Sequence, residues 1–527
     1  MKKTILLSLT ILTTLVLNAQ LKITEKADIN WGEELRFKKG EEFIEYLGQD
    51  SKKHFLIKSL KRGYQYEIDV FGNDMALKNK VIIDMKHHGN YKMDYEGAYL
   101  INNNIYVFSS FPDKKNKINK LYCRTYDKND LTAGELIEVE QLPYEKHKFK
   151  GVFGVEVSED ESTLLMYLGK PYDKNAAERF GFSVLDSKLN EVWKKDIELP
   201  YTEQFFTIED YQINNDGDVY VLGQEFRENK KERVKGKPNY KYHIIAYLDK
   251  GKKVKDYEIN LDDKFITDIT YKIAKNGDLI CSGLYSKNGT SSVKGAFYMT
   301  IDFDTRKIKN NSIKEFDEEF ITQGWSEKSI AKAKKKEIKK DRAIELYEYD
   351  LRDFVLREDG GAVLLAEQYY VTVTRTTSTD ANGNTTTSYT YHYHYNDVII
   401  INISPDGKID WATKIEKYQH STNDGGYLSS YVLQVDGDLL HLIYNERNRN
   451  YFDKEERKQM KKKDRNARLT VIATIDSKGE YKKEILINVS EENTYPVPKF
   501  SEQINEKELL MYTRKGKKRK FAIVHFK

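Results

Sequence analysis

The residues with the clearest chemical potential lie in one stretch, residues 370–396, where tyrosines and histidines alternate with threonines and valines. Tyrosines give a large contact area at a small entropic cost, so they could stack on a sugar or anchor another protein. His392 and His394 are two residues apart, which places both imidazoles on one side of a strand, where they could contribute to a metal site. No third or fourth ligand is visible nearby, so no metal site is predicted.

Two alternating arms flank Asn382-Gly383 in this stretch, which is the strongest short-range signal for a β-hairpin. If these two residues are the turn, Val373 faces His392 and Val371 faces His394. Arms of about 12 residues extend about 40 Å, so the hairpin must project or fold across a face of the fold. The predicted binding residues are Tyr370, Tyr391, Tyr393 and Tyr395 on one face of the hairpin, and His392 and His394 with Val371 and Val373 on the other.

The sequence patterns of common catalytic and cofactor sites are absent. There is no HExxH, no GxSxG, no Gly-rich phosphate loop and no CxxC pair. No catalytic residue and no cofactor is therefore predicted. A pair of glycosidase carboxylates could exist among the 83 acidic residues, but the sequence does not single one out.

A repeat organises the rest of the chain. A polar turn that leads into an apolar strand occurs eight times, and it alternates with a second element that reads strand, turn, strand. Each cycle therefore holds about four short strands, which is the content of one propeller blade. The eight strands of the first element open at His54, Asn104, Thr163, Asp218, Asp278, Gly361, Asp438 and Glu508.

The two ends of the chain predict how the repeat closes. The segment around Trp31 resembles the outer strands that contain Trp193 and Trp411, and the last repeat lacks such a strand. A shared last blade would remove the free edges of an open ring. The predicted fold is therefore all-β, an eight-bladed β-propeller closed by an N-terminal strand that joins the last blade, with a seven-bladed ring as the alternative.

Three insertions interrupt the blades, at about 326–349, 370–396 and 453–468. The first and third are predicted helices with N-caps at Ser326 and Asp453. Ile330, Ala333 and Ile338 form a thin apolar stripe on the first helix. Both helices are basic, and each is interpreted as a solvated surface, with a contact to an anionic partner as the alternative.

Residues 1–19 have the pattern of a secretory signal peptide, with lysines before an apolar run and Ala19 at the cut. Residues 20–527 are predicted to form a single domain without a transmembrane segment, in the periplasm, at the cell surface or secreted. A net charge of +4 gives no electrostatic reason to expect nucleic acid. Cys123 and Cys281 lie in apolar strand-like runs, and we expect both to be buried and unpaired.

Residues 355–435 carry a resemblance to a known group of proteins. The segments DGGAVLLAEQYY, DANGN, YNDVIIINISPDGKIDW and NDGGYLSSY look like those of uncharacterised exported proteins of Bacteroidetes bacteria, and the signal peptide ending in NAQ is similar. The resemblance implies an exported propeller-like fold. It implies no activity and no functional residue.

Together these features favour a non-enzymatic binding or scaffold protein of the bacterial cell envelope. It would contact an envelope protein or polysaccharide through one ring face and the Tyr-rich hairpin. The alternative is a hydrolase or lyase that acts on glycans or peptides at the propeller channel. A third reading is a purely structural subunit of an envelope complex. The sequence does not indicate the oligomeric state.

Overall fold

The computed structural model describes residues 22–86, 92–170, 176–227, 229–340 and 342–527. Within them the chain is all-β, as predicted, and its helices lie only between strands. The predicted signal peptide, residues 1–19, lies outside the described residues.

Two short strands, β1 (Ala27–Trp31) and β2 (Leu35–Arg36), precede the repeating part of the chain. The described residues then form eight antiparallel sheets with four main strands each, which we number sheet 1 to sheet 8 along the chain. The strands of sheets 1 to 3 are β3 (Glu42–Gln49), β4 (Lys53–Leu60), β5 (Gln65–Gly72) and β6 (Leu77–Ile83); β7 (Asp94–Ile101), β8 (Asn104–Asp113), β9 (Ile118–Asp127) and β10 (Ala133–Pro143); and β11 (Val152–Val157), β12 (Thr163–Gly169), β13 (Ala177–Asp186) and β14 (Glu191–Thr202).

Sheets 4 and 5 follow the same order, with short extra strands in their connections. The strands of sheet 4 and its connection are β15 (Phe206–Ile213), β16 (Val219–Phe226), β17 (Arg233–Val234), β18 (Lys237–Pro238), β19 (Tyr240–Leu248) and β20 (Lys253–Ile259). Those of sheet 5 are β21 (Phe265–Ile273), β22 (Leu279–Ser286), β23 (Ser292–Val293), β24 (Gly295–Ile301) and β25 (Ile308–Glu315). The short strand β23 pairs with another short strand ahead of sheet 6.

The last three sheets contain the helices. Before and within sheet 6 are α1 (Glu318–Thr322), α2 (Glu327–Lys340), β26 (Leu346–Tyr347), β27 (Tyr349–Leu356), β28 (Ala362–Thr379), β29 (Thr385–Ile403), β30 (Ile409–Ile415) and β31 (Gln419–Thr422). Sheet 7 and its connections contain β32 (Val432–Asp436), β33 (Leu439–Arg447), α3 (Asn448–Tyr451), α4 (Lys454–Gln459), α5 (Lys462–Arg465), β34 (Arg468–Ile475), β35 (Tyr481–Asn488) and α6 (Val489–Glu492). Sheet 8 contains β36 (Tyr495–Pro496), β37 (Glu502–Asn505), β38 (Glu508–Lys515) and β39 (Lys518–Phe526).

All eight predicted first-element strands are second strands of a sheet. Their predicted opening residues lie within one position of the observed starts of β4, β8, β12, β16, β22, β28, β33 and β38. In sheet 8 both β36 and β37 pair with β38, which in turn pairs with β39. Side chains alternate between the two faces of each sheet, and apolar side chains from both faces are buried against neighbouring sheets.

Sheet 8 is completed from the start of the chain. β1 pairs antiparallel with β39, and Trp31 lies opposite Ala522, as the sequence predicted for this segment. The amide of Gly32 donates to Phe521 O at 2.9 Å, which continues the ladder.

Clusters of buried apolar side chains join each sheet to the next one. A further cluster joins sheet 8 to sheet 1, where Phe43 packs on Tyr512 at 4.8 Å and on Phe521 at 5.3 Å between ring centroids. The first strands of most neighbouring sheets also contact one another, so these strands line the inner side of the assembly. The arrangement is that of a β-propeller-like fold.

The helices in the first and third insertions are shorter than predicted. In the first, α2 ends at Lys340, and Ile338 is 86% exposed, so the expected apolar stripe is limited to Ile330 and Ala333. Ser326 accepts a hydrogen bond from the amide of Ser329 at 3.2 Å, as expected for an N-cap. In the third insertion Asp453 caps α4 in a capping box, but the helix stops at Gln459.

Cys123 and Cys281 are buried and unpaired, as predicted. Burial raises the pKa of both thiols, so neither is a reactive thiolate. No helix of the described residues combines the length and apolar character needed to cross a membrane.

Candidate functional site

The hairpin of sheet 6 projects from the fold as a two-stranded arm. β28 pairs with β27 only as far as Gln368, and β31 pairs with β29 only over residues 392–395. Residues 373–379 and 385–391 pair with each other, over about 23 Å at roughly 3.3 Å per residue. At the inner end of this pairing, Tyr391 O also accepts a hydrogen bond from the amide of Asn423 at 3.0 Å, and Tyr391 N donates to Asn423 Oδ1 at 2.9 Å. We call these two segments the distal arm, and almost all of its side chains are exposed.

The hairpin turn differs from the predicted two-residue turn. Asp380 N donates to Asn384 O and Gly383 N donates to Asp380 O, both at 3.0 Å. Gly383 has φ of +84°, as in a type I turn that ends in a left-handed residue. Asn382-Gly383 therefore supplies only the end of a five-residue loop.

The longer loop moves the register by one residue and corrects the predicted faces. Val373 faces Tyr391 and Val371 faces Tyr393, so the predicted pairs of these valines with His392 and His394 are wrong. The tyrosine face of the hairpin contains Val371, Val373, Tyr389, Tyr391 and Tyr393, with Arg375 opposite Tyr389. Four of these side chains are large and exposed: Val371 (39%), Val373 (52%), Tyr389 (53%) and Tyr391 (47%).

Tyr370, predicted on the tyrosine face, lies on the opposite histidine face. Its ring stacks on His394 with 4.5 Å between centroids. Tyr395 does share the tyrosine side, but at the base of the hairpin, where it is 5% exposed and packs against Tyr369. The predicted tyrosines therefore lie on two different faces of the hairpin, and Tyr395 is buried whereas Tyr391 is exposed.

A third histidine, His420 of β31, lies beside His392 and His394. The sequence analysis did not predict it. It pairs directly with His394, and its Nε2 lies 3.1 Å from Nδ1 of His392. The ring centroids of His394 and His420 are 4.8 Å apart. Among the described residues, no three His, Cys, Asp or Glu side chains are arranged to hold a metal ion.

This histidine contact should make the attachment of β31 pH-dependent. Burial lowers the pKa of His394 from its usual 6.5, and the neighbouring His420 and His392 act in the same direction. A lowered pKa means that stability is complete above the unfolded value and falls as pH drops below it. We expect amides of residues 419–422 to exchange faster at about pH 5 than at about pH 7.5, after correction for intrinsic rates.

The control for this pH effect is His394→Gln, which removes the titrating imidazole and keeps a polar side chain. Its pH dependence over the same peptide should be smaller than that of the wild type. An unchanged pH dependence in this variant would assign the effect to another group.

The base of the hairpin contacts Lys499, which lies in the connection between β36 and β37. Lys499 Nζ donates to Tyr395 Oη at 2.6 Å and lies 4.1 Å from the centroid of that ring. Lys499 makes no ion pair with a described carboxylate; besides Tyr395, Gly425 O accepts from it at 3.3 Å. Burial lowers the pKa of Lys499 to about 8; the charge of Glu367 opposes this effect, and that of Arg352 adds to it.

A fully buried ion pair lies beneath this contact. Lys417 Nζ lies 2.7 Å from Glu367 Oε1, and both side chains have no exposed surface. Ser430 Oγ donates to the other oxygen of Glu367 at 2.7 Å, and Arg352 Nε lies 3.3 Å from it. Lys417 also donates to Gln419 Oε1 at 3.1 Å. Each oxygen of Glu367 thus accepts a hydrogen bond from a buried donor besides the contact with Arg352.

An open cavity of about 640 Å³ lies between the first strands of sheets 6, 7 and 8. We call it the inner-strand cavity. Its polar lining consists mainly of Arg352, Asp353, Tyr431, Lys499 and Glu502. Asp353 Oδ2 accepts a hydrogen bond from Tyr431 at 2.7 Å, and burial raises the pKa of Asp353.

Acidic side chains continue from this cavity along the first strands of other sheets. Burial raises the pKa of Glu502, with the neighbouring Glu45 adding to the effect. Partial burial and Asp210 likewise raise the pKa of Glu156 to about 7. Burial and Asp350 raise the pKa of Asp268. Acidic side chains therefore predominate on the inner side of the fold, and Arg352, Lys499 and Lys272 are basic residues among them.

No single sequence motif marks the residues around the cavity. Arg352, Lys417 and Lys499 stand in three separate repeats, and each resembles the many other lysines and arginines of the chain. Glu367 does stand out in hindsight, because it follows five apolar residues in the buried strand AVLLA. A charge in such a strand requires a buried partner.

Comparison with known proteins adds structural neighbours only. No family model matches the chain, and no curated protein matches it. The polysaccharide lyase Uly1 aligns over 95% of this chain and 100% of its own, with 11% identity and a TM-score of 0.37. Prolyl oligopeptidase B from Galerina marginata aligns over 77% and 46%, with 10% identity and a TM-score of 0.34. The β-propeller domain of the Trilobed protease from Pyrococcus furiosus aligns over 75% and 100%, with 11% identity and a TM-score of 0.31. Scores this low transfer neither residues nor activity.

Proposed function

We propose that the eight sheets are the blades of one closed eight-bladed β-propeller. The cluster between sheet 8 and sheet 1, together with the pairing of β1 with β39, supports this arrangement. We further propose, from the signal-peptide pattern, that the protein is exported to the periplasm or the cell surface. A closed ring gives the hairpin of sheet 6 a rigid support.

On this support we propose a non-enzymatic binding or scaffold protein of the bacterial cell envelope, which contacts a protein or glycan through one ring face and the hairpin. The exposed tyrosine face of the distal arm carries the proposal. Val373, Tyr389 and Tyr391 are each about half exposed on an arm without a covering element in the described chain. Aromatic side chains held in this way are the usual energetic centres of protein interfaces.

The base of the hairpin is built to keep the arm in place. Tyr395 is held by Lys499 on one side and by Tyr369 on the other. Gly426, with φ of +66°, approaches Tyr395 so closely that a Cβ there would lie 2.3 Å from its ring. An arm fixed at its base loses little conformational entropy when its distal part binds a partner.

The proposed contact can be tested with a photo-crosslinking amino acid at Tyr391 in cells that produce the protein. We expect a discrete cross-linked species, and we expect the added substitutions Val373→Ser and Tyr389→Ser to weaken it about tenfold, because each removes an exposed anchor. A glycan array covers the case of a saccharide partner. The matched control has the cross-linker at Tyr64, which is 66% exposed on sheet 1.

Equal cross-linking from Tyr391 and Tyr64, together with an array signal that the two serine substitutions leave unchanged, would contradict a role of the tyrosine face. Thermal unfolding of each variant shows whether the ring remains folded.

The second candidate function is a hydrolase or lyase that acts on glycans or peptides at the inner-strand cavity. It is favoured by Lys499, whose pKa is lowered to about 8, together with the carboxyl groups of Asp353 and Glu502 on the same cavity. A lysine with that pKa can act as a base near neutral pH. Turnover of an envelope polysaccharide or peptide that disappears in Lys499→Met would favour this function over binding alone.

A further inference from the structure

The inner-strand cavity contains a lysine and a glutamate that form no ion pair with each other. Lys499 and Glu502 both line it, three residues apart in the chain. No described carboxylate lies within ion-pair distance of Lys499, and no described lysine or arginine pairs with Glu502. Charged groups next to an open cavity without partners are typical of a ligand site.

Arg352 and Lys499 form one side of the cavity, which we call the cationic wall. This wall has a surplus of positive charge. Glu367 contacts Arg352, but its charge is already balanced by the buried Lys417 at 2.7 Å. Arg352 keeps 32% of its side chain exposed. Its charge disfavours the charged form of Lys499, whereas the charges of Glu367 and Asp424 favour it. A carboxylate placed between Arg352 and Lys499 would relieve their mutual repulsion and accept their hydrogen bonds.

Asp353 and Glu502 form the acidic wall of the cavity, which has a surplus of negative charge. Glu502 is affected by the like charge of Glu45. Asp353 accepts a hydrogen bond from Tyr431 on one oxygen, and the charge of Arg352 favours its ionised form. A ligand ammonium group would supply a positive charge to Glu502 and would add to the effect of Arg352 on Asp353. An anion without such a group would be repelled by this wall, and a simple cation would be repelled by the other.

We propose that the inner-strand cavity binds a small zwitterion, an amino acid or a short peptide. Its carboxylate contacts Lys499 and Arg352, and its ammonium group contacts Glu502 and Asp353. The cavity volume of about 640 Å³ is in the range of small-molecule sites. This site is separate from the tyrosine face of the distal arm, so it does not depend on the proposed envelope contact.

Isothermal titration calorimetry of the full mature chain with free amino acids and dipeptides tests the proposal. Each compound is compared with its N-acetyl form and its C-terminal amide. We expect at least one free compound to bind, and we expect either blocking group to weaken binding about 30-fold or more, because each removes one charge contact. Acetate and ethylammonium alone should bind far more weakly.

Two variants test whether the ligand binds in this cavity. Lys499→Met should abolish the preference for the free carboxylate, and Glu502→Gln should abolish the preference for the free amine. Lys478→Met and Glu480→Gln, in an exposed turn of sheet 7, are the matched controls and should bind as the wild type does.

Three results would overturn the proposal. The first is the absence of binding for all free amino acids and dipeptides at millimolar concentration. The second is equal affinity for free and blocked forms. The third is binding that Lys499→Met and Glu502→Gln leave unchanged while both remain folded. None of these results affects the cross-linking outcome at Tyr391, so failure of this site and failure of the envelope contact can be distinguished.

Discussion

Replacement of Lys417 by methionine is expected to lower the free energy of unfolding by about 3–5 kcal/mol. The substitution leaves Glu367 as a fully buried carboxylate without its charge partner at 2.7 Å. Ser430 still donates to Glu367, but a neutral hydroxyl does not offset the loss of hydration of a charge. Urea denaturation followed by tryptophan fluorescence gives the change in unfolding free energy.

Lys414 provides a control of matched burial on the preceding strand. Its Nζ donates to the carbonyl oxygens of Ile321 at 3.2 Å and Gln323 at 2.8 Å, and no carboxylate in the described part of the chain forms an ion pair with it. Burial lowers its pKa, so it is held less firmly in the charged state. We expect Lys414→Met to cost only about 1–2 kcal/mol.

The double variant Glu367→Gln with Lys417→Met distinguishes loss of a charge partner from loss of packing. It removes both charges, and we expect it to be more stable than Lys417→Met alone. Equal losses in Lys417→Met and Lys414→Met, or a double variant as unstable as the single one, would show that the ion pair is not what stabilises this region.

The repeating part of the fold could be predicted because it is encoded locally. A polar turn followed by an apolar strand marks the second strand of every sheet, from His54 to Glu508. The Trp31 segment was assigned to the last sheet on the same basis, by its likeness to the strands of Trp193 and Trp411. In the structure the indole nitrogen of Trp193 donates to Gly217 O in the next sheet at 3.0 Å. A tryptophan at this position therefore has a defined packing role that its sequence context reveals.

The faces of the hairpin could not be predicted so well, because they depend on a single residue of loop length. Asn-Gly favours two loop types, and the choice between them moves every side chain of one arm relative to the other. Asp380 decides the outcome here, since its carboxylate accepts from the amides of Asn382 and Asn384, both at 2.9 Å. These bonds stabilise the five-residue loop and place Tyr370 with the histidines.

The inner-strand cavity could not be predicted from the sequence for a different reason. Its charged residues come from different repeats, and only the folded arrangement shows which of them lack partners. Lys417 and Lys499 are both lysines in polar surroundings of the sequence, yet one is paired within the core and the other faces open space. The pairing state of a charge is a property of the tertiary structure.

Proline substitutions at Asp28 and Asn30 together are expected to destabilise the protein by roughly 3–6 kcal/mol. Gly32 N donates to Phe521 O and Lys527 N donates to Lys26 O, so the alternation of the ladder places the amides of Asp28 and Asn30 in bonds to β39. Two prolines remove both donors. The inward-facing side chains of β1 are left unchanged.

The paired alanine variant, Asp28→Ala with Asn30→Ala, is the matched control. It removes the same side chains, including the contacts of Asp28 with Lys527 and of Asn30 with His525, but keeps both amides. Exposed contacts of this kind contribute little, so we expect a loss below about 1 kcal/mol.

Hydrogen exchange over residues 518–527 reports whether β1 has left the sheet. In the proline variant β39 becomes an unprotected edge, and its amides should exchange much faster than in the alanine variant. If β1 is the strand that joins the two ends of a ring, protection should also fall at the interface of sheet 8 with sheet 1, around Phe43 and Tyr512. Equal protection in the proline and alanine variants would mean that the terminal strand does not hold the ring together.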